Sequence, residues 1–303
     1  MQTLAGKKIV IIGMGLIGGS VARALARLDL ACEVVGVGRD SAVLEQAINE
    51  GSITGFTTDL QTACIDADLI VIAVPVLAIA NILQELAPVL AEHTVVTDVA
   101  SVKQTVIDAA QKAFGKVPAN FVPGHPIAGS EQSGYAAAKA ELFTGRRVIL
   151  TPLAHTNSHA VDMVTELWYA TGAEVLQMQV AHHDEVLAAT SHLPHLLAFA
   201  LVDTLSQQGE SEEIFRFAAG GFRDFTRIAS SDPVMWRDIF VSNSEALVAI
   251  LGEYTADLSH LRNALLAKDS EQLFTLCRRA KQSRDVFLAM NGESIKPKTA
   301  KSD

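Results

Sequence analysis

Cysteine is scarce in this chain, and its spacing pairs none of it. Cys32, Cys64 and Cys277 are scattered over 303 residues with no C-x-x-C. That argues against a disulfide framework or a thiolate metal site and predicts buried, reduced thiols in a cytoplasmic protein. Long apolar runs are missing too. No stretch reaches 18 residues without a charge or a breaker, so no transmembrane span is expected. The start, M-Q-T-L-A-G-K-K-I-V-I-I-G-M-G-L-I-G-G, has a signal peptide's basic-then-apolar order. Spaced glycines break that run, and an Arg-bearing helical pattern follows, so it reads as folded structure. Positive charge is also short: 24 Lys and Arg stand against 34 Asp and Glu, a net charge of −10. This disfavours nucleic acid or an anionic membrane surface as partner. An anionic small molecule would have to be met by a few local Arg or Lys residues.

What is present is a globular composition, 49% hydrophobic and 19% charged, long enough for two domains. Residues 8–12 (K-I-V-I-I), 33–37, 68–74 and 94–98 read as buried parallel strands. Helical patterns over about 16–28, 41–50, 76–90 and 102–114 alternate with them. A shorter strand is expected near 120–123, with later strands at 146–151 and 174–178 flanking a helix at about 157–170. This alternation predicts an α/β Rossmann-type doubly wound sheet. Strand signals stop after residue 180, so an all-α helical domain should follow. Ser231 or Asp232, with Pro233 behind it, marks a helix start. From there Trp236, Ile239, Phe240, Leu247, Ile250, Leu251, Leu258, Leu261 and Leu265 keep helical spacing. They predict one long helix with a buried face, and a further helix over about 270–290. The expected division is a dinucleotide-binding domain over 1–180, a helical substrate and dimerisation domain over 181–290, and a flexible tail over 291–303. So wide an apolar face on so small a helical domain points to a homodimer.

Gly13-Met14-Gly15-Leu16-Ile17-Gly18 is G-x-G-x-x-G, following a strand and opening a helix. In that context Gly13 permits a tight turn, Gly15 lets the backbone approach a pyrophosphate, and Gly18 lets helix and strand touch. The N–H groups of Leu16 and Ile17 would face the phosphates. Val74 and Pro75, where the third strong strand stops, complete the expected cofactor wall. An NAD site wants an acidic residue about 20 positions past the last glycine. That position is Gly38, followed by Arg39. A missing carboxylate beside a guanidinium suits a 2′-phosphate, so NADP is the expected cofactor. NAD stays open if Arg39 points to solvent and Asp40 binds the ribose through a register shift.

Four further stretches fall at strand ends or in the helical domain: D-V-A-S-V-K at 98–103, G-H-P-I-A-G-S-E-Q-S-G at 124–134, S-H-L-P-H at 191–195 and G-G-F-R-D-F-T-R at 220–227. Ser101 could cap the following helix or serve the site. His125 lies on a glycine- and proline-bound turn at a strand end, where function concentrates. His192 and His195 could pair on a metal, but no third ligand has suitable spacing, so no metal is expected. Arg227, set among Phe222, Phe225 and Ile228, is expected to be partly buried and in need of an anion.

Taken together these motifs resemble the prephenate/arogenate (cyclohexadienyl) dehydrogenase family, in order and spacing, from the first strand to about residue 290. The resemblance implies oxidative decarboxylation: hydride leaves C4 of a cyclohexadienol ring, the ring carboxylate departs as CO₂, and the ring becomes aromatic. It implies His125 as the base for the C4 hydroxyl and Ser101 as the residue that bonds that hydroxyl and orients the imidazole. It implies His195 as a substrate contact, Arg227 as a carboxylate clamp and His192 as support. Glu131 could meet the ammonium of arogenate, or pair with an Arg, or face water. With the first strand starting by residue 8 and the pattern ending near 290, no mutase or regulatory domain is expected. Any feedback by tyrosine should then compete at the active site. A β-hydroxyacid or ketopantoate type of dehydrogenase and a dinucleotide-sensing protein are the alternatives. The first would want a helical-domain lysine beside the Gly-rich region, and the second would have no use for His125 or Arg227.

Overall fold

Ile9 and Ile11 face one hydrophobic core while Val10 and Ile12 face another. That two-residue alternation on a fully apolar strand requires cover on both faces. The computed structural model describes residues 4–28, 31–129, 132–209 and 211–290. Its chain order is β1 (Lys8–Ile12), α1 (Leu16–Ala26), β2 (Glu33–Val37), α2 (Ser41–Asn49), β3 (Gly55–Thr57), α3 (Leu60–Cys64), β4 (Leu69–Ile72), α4 (Ile79–Leu86), β5 (Val95–Asp98), α5 (Gln104–Phe114) and β6 (Phe121–Val122). These strands form one parallel sheet in the order β3-β2-β1-β4-β5-β6. The order reverses beside β1, so the carboxyl ends of β1 and β4 border the crevice where such sheets bind ligands. β3 and α3 were not anticipated from the sequence.

The late strands do not extend that sheet. β7 (Gly124–Pro126), β8 (Arg147–Leu150) and β9 (Glu174–Gln177), with α6 (Ser158–Ala170) between the last two, make a second sheet. β7 runs antiparallel to β8, with His125 opposite Ile149. Pro123 lies between β6 and β7, where the chain leaves one sheet for the other. His125 is therefore anchored by a ladder of its own.

Helices follow: α7 (Val180–Leu187), a π-helical turn over Ala188–His192, α8 (Leu193–Ser206), α9 (Ser211–Arg216), α10 (Gly220–Thr226), α11 (Pro233–Ser242), α12 (Ser244–Ala267) and α13 (Ser270–Met290). Val180–Ser206 is long and apolar enough, by length and composition alone, to cross a membrane, although Asp184, Glu185, Pro194 and Asp203 interrupt it. Its polar residues His183, Asp184 and His192 nonetheless take partners inside the fold. The single long helix expected from residue 233 is two. Asp232 caps α11, accepting from Met235 N at 2.8 Å. The helix then stops at Asn243, whose φ of −115° and ψ of 31° leave the helical region. Trp236 and Ile239 on α11 join the core beneath β1 and β4.

By internal contacts the chain divides into Met1–Leu247 and Val248–Asp303. In the second unit α12 and α13 are joined by a tight turn in which Asp269 N bonds Ala264 O at 2.9 Å. Of the predicted buried face, Trp236, Ile239 and Leu247 are buried, but Leu258 and Leu265 in the second unit are exposed. Cys64 is buried and burial pushes its thiol up to about 11, but Cys277 is exposed and Cys32 half-buried, against the expectation of three buried thiols.

Candidate functional site

The glycine loop is built as the motif requires. Gly13 has φ +97°, and a Cβ there would lie 2.4 Å from Ala73 O and 2.9 Å from Val74 Cγ1. A Cβ on Gly18 would lie 2.0 Å from Gly13 O. Both positions are closed to side chains by the protein itself. Gly15 is different: a Cβ there would meet nothing within 4 Å. Gly15 is also the N-cap of α1 and supplies no side-chain cap. An eleven-residue helix thus opens with uncapped N–H groups, at Leu16 and Ile17 among others, toward free space. Gly13 N donates to Val37 O at 2.8 Å, which brings the end of β2, Gly38 and Arg39, beside the loop. Arg39 is exposed. Asp40 is engaged elsewhere, accepting from Ala42 N at 3.0 Å as the cap of α2. Val74 and the exposed Pro75 follow β4. The donor set and the vacant space at Gly15 fit a dinucleotide pyrophosphate.

Behind His125 stands a buried ion pair. Lys103 is fully buried, and its ammonium is hydrogen-bonded to Asp98 and, at 2.6 Å, to Gly124 O. Burial pulls the Lys103 ammonium down, and the Asp98 charge opposes that. Asp98 ends β5 and accepts from Ala100 N at 2.9 Å and Gly124 N at 3.3 Å. Gly124 N is thus held by Asp98 at the end of β5 and Gly124 O by Lys103 at the head of α5, which fixes where His125 stands.

The imidazoles are linked. His125 Nδ1 lies 2.9 Å from His183 Nε2, with the rings edge to face at 5.1 Å. His183 Nδ1 lies 2.7 Å from Asp184 Oδ1. The Asp184 carboxylate also accepts from Lys103 N and Gln104 N, both at 2.8 Å. It therefore caps α5, the job Ser101 was a candidate for. Ser101 is half-buried, and α5 begins at Gln104 with no side-chain cap from its N-cap residue. Burial holds His125 well below the usual imidazole range, helped by the charges of His183 and Lys103 nearby. Burial lowers His183 as well, and Asp184 opposes it.

His192 is fully buried. Its Nδ1 lies 3.0 Å from Asn243 Nδ2, which also donates to Asp184 O at 2.8 Å. His195 stacks on Trp236 at 3.6 Å and 19°, and its Nδ1 donates to Ser191 O at 2.9 Å. The site thus brings His125, His183, Asp184, Asn243 and His192 into one hydrogen-bonded chain. Among the described residues no cluster of three or more His, Cys, Asp or Glu side chains has metal-binding geometry. Arg227 corrects an expectation. It is exposed, as is Phe225, because α10 and the turn after it bury no side chain at all. Glu131 lies outside the described residues.

The family model described as prephenate dehydrogenase, nucleotide-binding domain, matches residues 21–177. The model described as prephenate dehydrogenase, dimerization domain, matches residues 179–279. The chain belongs to the prephenate dehydrogenase family. The cyclohexadienyl dehydrogenase of Zymomonas mobilis is 39% identical over 92% of this chain and 95% of its own. The prephenate dehydrogenase of Bacillus subtilis is 38% identical over 91% of this chain and 75% of its own. The prephenate dehydrogenase of Aquifex aeolicus, solved with hydroxyphenyl propionate and NAD⁺, superposes with a TM-score of 0.87 at 34% identity, covering 94% of this chain and 99% of that one. This family member is an NAD(P)-dependent oxidoreductase.

For this prephenate dehydrogenase relative, the sequence brought forward His125, Ser101, His192, His195 and Arg227. It did not bring forward Lys103 and Asp98 as an ion pair, nor His183, Asp184, Asn243 and Trp236. Asp98 and Lys103 stood in a motif already singled out. The H-H-D run at 182–184 was visible, but nothing local says that one imidazole of it meets a residue 58 positions earlier.

Proposed function

We propose that this chain carries out the oxidative decarboxylation of prephenate, arogenate or both, in tyrosine biosynthesis, with NADP preferred over NAD. The observation that carries the reading is a buried imidazole, His125, held on the second sheet beside the carboxyl end of β5, together with an open Gly15 loop at the end of β1. When bound, the nicotinamide supplies the hydride acceptor. His125 takes the proton of the C4 hydroxyl as hydride leaves C4. A neutral imidazole suits that role, and general-base catalysis is worth roughly 10² to 10⁴ in rate. Release of CO₂ makes the ring aromatic, so the protein's task is to orient, deprotonate and exclude water.

Ser101 bonds the same hydroxyl. His195, stacked on Trp236, contacts substrate, with His192 behind it. Arg227 clamps a carboxylate; its solvent-facing position lets a small anion reach it, and its planar fork suits a bidentate contact. Glu131 would serve arogenate alone, by meeting its ammonium. Exposed Arg39 beside Gly38, with Asp40 committed to its helix cap, supports NADP. The reading keeps residues 1–180 for the cofactor and 181–290 for substrate and a cytoplasmic homodimer, with 291–303 as tail; the meeting of the two family models near 178 supports it.

The deciding assay mixes the protein with NADP or NAD and with prephenate or arogenate, and follows reduced-cofactor absorbance. Turnover is expected, fastest with NADP. None with any of the four pairs overturns the reading. His125→Asn should abolish most of kcat while cofactor affinity stays, and Arg227→Ala should mainly raise KM.

A further inference from the structure

We propose that His183 and Asp184 are positioning residues that lock His125 in the Nδ1–H tautomer, so that Nε2 is the bare nitrogen offered to substrate. This rests on His125 being the base. The argument runs from the carboxylate outward. Every contact of Asp184 is a donor: the N–H groups of Lys103 and Gln104 at the head of α5, and His183 Nδ1 at 2.7 Å. A carboxyl so surrounded is ionised, and the start of an eleven-residue helix favours its charge. His183 must then carry its proton on Nδ1. Its Nε2 becomes an acceptor, because a doubly protonated His183 would be a second buried cation near the Lys103 ammonium. His125 Nδ1, 2.9 Å from that acceptor, must supply the hydrogen. In a neutral imidazole, Nε2 is then the only nitrogen with a free lone pair.

The charged and titratable groups facing the pair are Lys103, Asp98, Asp184 and His192. The Lys103 charge is already met by Asp98 and Gly124 O. The arrangement has the same logic as a base oriented by a third group, with an imidazole inserted between base and carboxylate.

The test is direct. The full-length protein, labelled with ¹⁵N-histidine, is studied by long-range ¹H–¹⁵N correlation near pH 7.5, with His125→Asn used to assign the resonances. His125 is expected as the Nδ1–H tautomer. His183→Gln, whose side-chain oxygen can accept the same hydrogen bond, should keep that spectrum and most of kcat. His183→Phe should mix or invert the tautomers and cut kcat at least about tenfold, with KM and cofactor affinity within about threefold. A His125 protonated on Nε2 in the unmodified protein overturns the proposal, as does an unchanged tautomer in His183→Phe. If His183→Phe does not fold, the unmodified protein and His183→Gln still decide. Failure of the base assignment looks different: the spectrum is as expected, but His125→Asn retains near-normal kcat.

Discussion

At the residue scale, three glycines of one motif have three different jobs, and substitution separates them. Gly15→Ala adds a methyl into open space. Folding stability should change by less than about 0.5 kcal/mol. Cofactor affinity should fall at least tenfold, because the methyl occupies the volume proposed for the pyrophosphate. Gly18→Ala forces a Cβ to within 2.0 Å of Gly13 O, which is backbone and cannot swing away. It should lose both affinity and about 1–3 kcal/mol of stability. Thermal melts and a fluorescence titration with NADPH measure the two effects. A Gly15→Ala protein that binds like the unmodified one would place the phosphates elsewhere. These glycines were legible in the sequence because the backbone itself imposes their spacing. His125 stood out between Gly124 and Pro126 just past a strand, although the turn expected there is the short strand β7. The partners of His125 did not, since the contact with His183 spans 58 residues and is made only when α7 docks on the second sheet.

At the element scale, the periodic apolar pattern after residue 233 was read correctly as helix and wrongly as one helix. Periodicity reports which face is apolar, and Asn243 does not disturb it. What ends α11 is a tertiary demand: Asn243 leaves helical geometry where its amide bonds Asp184 O and His192 Nδ1. The same limit explains the strands at 147–150 and 174–177. Their composition announced strands but not which sheet they join. Asn243→Ala would leave the buried His192 Nδ1 without its donor, while Asp184 O keeps the Ala188 N–H. Such a loss costs about 1–3 kcal/mol. Urea denaturation should therefore show a fall of that order with an unchanged m-value, whereas Asp232→Ala, removing only an exposed cap, should cost about 1 kcal/mol. An Asn243→Ala protein as stable as the original would mean the hinge is set by α12 and not by this side chain.

At the scale of the whole molecule, the buried imidazoles make stability depend on pH with a definite sign. His125, His183 and His192 are all pushed below the ordinary value by burial, His192 to about 4. At His192 the charge of Asp184 opposes the shift, while His183 and His195 reinforce it. A histidine whose folded value is depressed binds fewer protons folded than unfolded. Stability contributed in this way is whole above about pH 6.5 and is lost as pH falls toward the folded value. For His192 alone the loss at pH 5 is roughly 2 kcal/mol. His125 and His183 add to it with the same sign. Asp184, held below the usual carboxylate range by His183 and the α5 amides, contributes stability lost only further down, below about pH 4. The acid limb should therefore begin near neutrality, well before the carboxylates titrate. Denaturation midpoints measured from pH 8 to 4.5 should fall steadily below about 6.5, and His192→Gln should flatten part of that slope. A midpoint flat down to pH 5 would mean these rings take up protons in the native state as readily as in the unfolded one, so that burial does not hold His125 neutral below about pH 6.5.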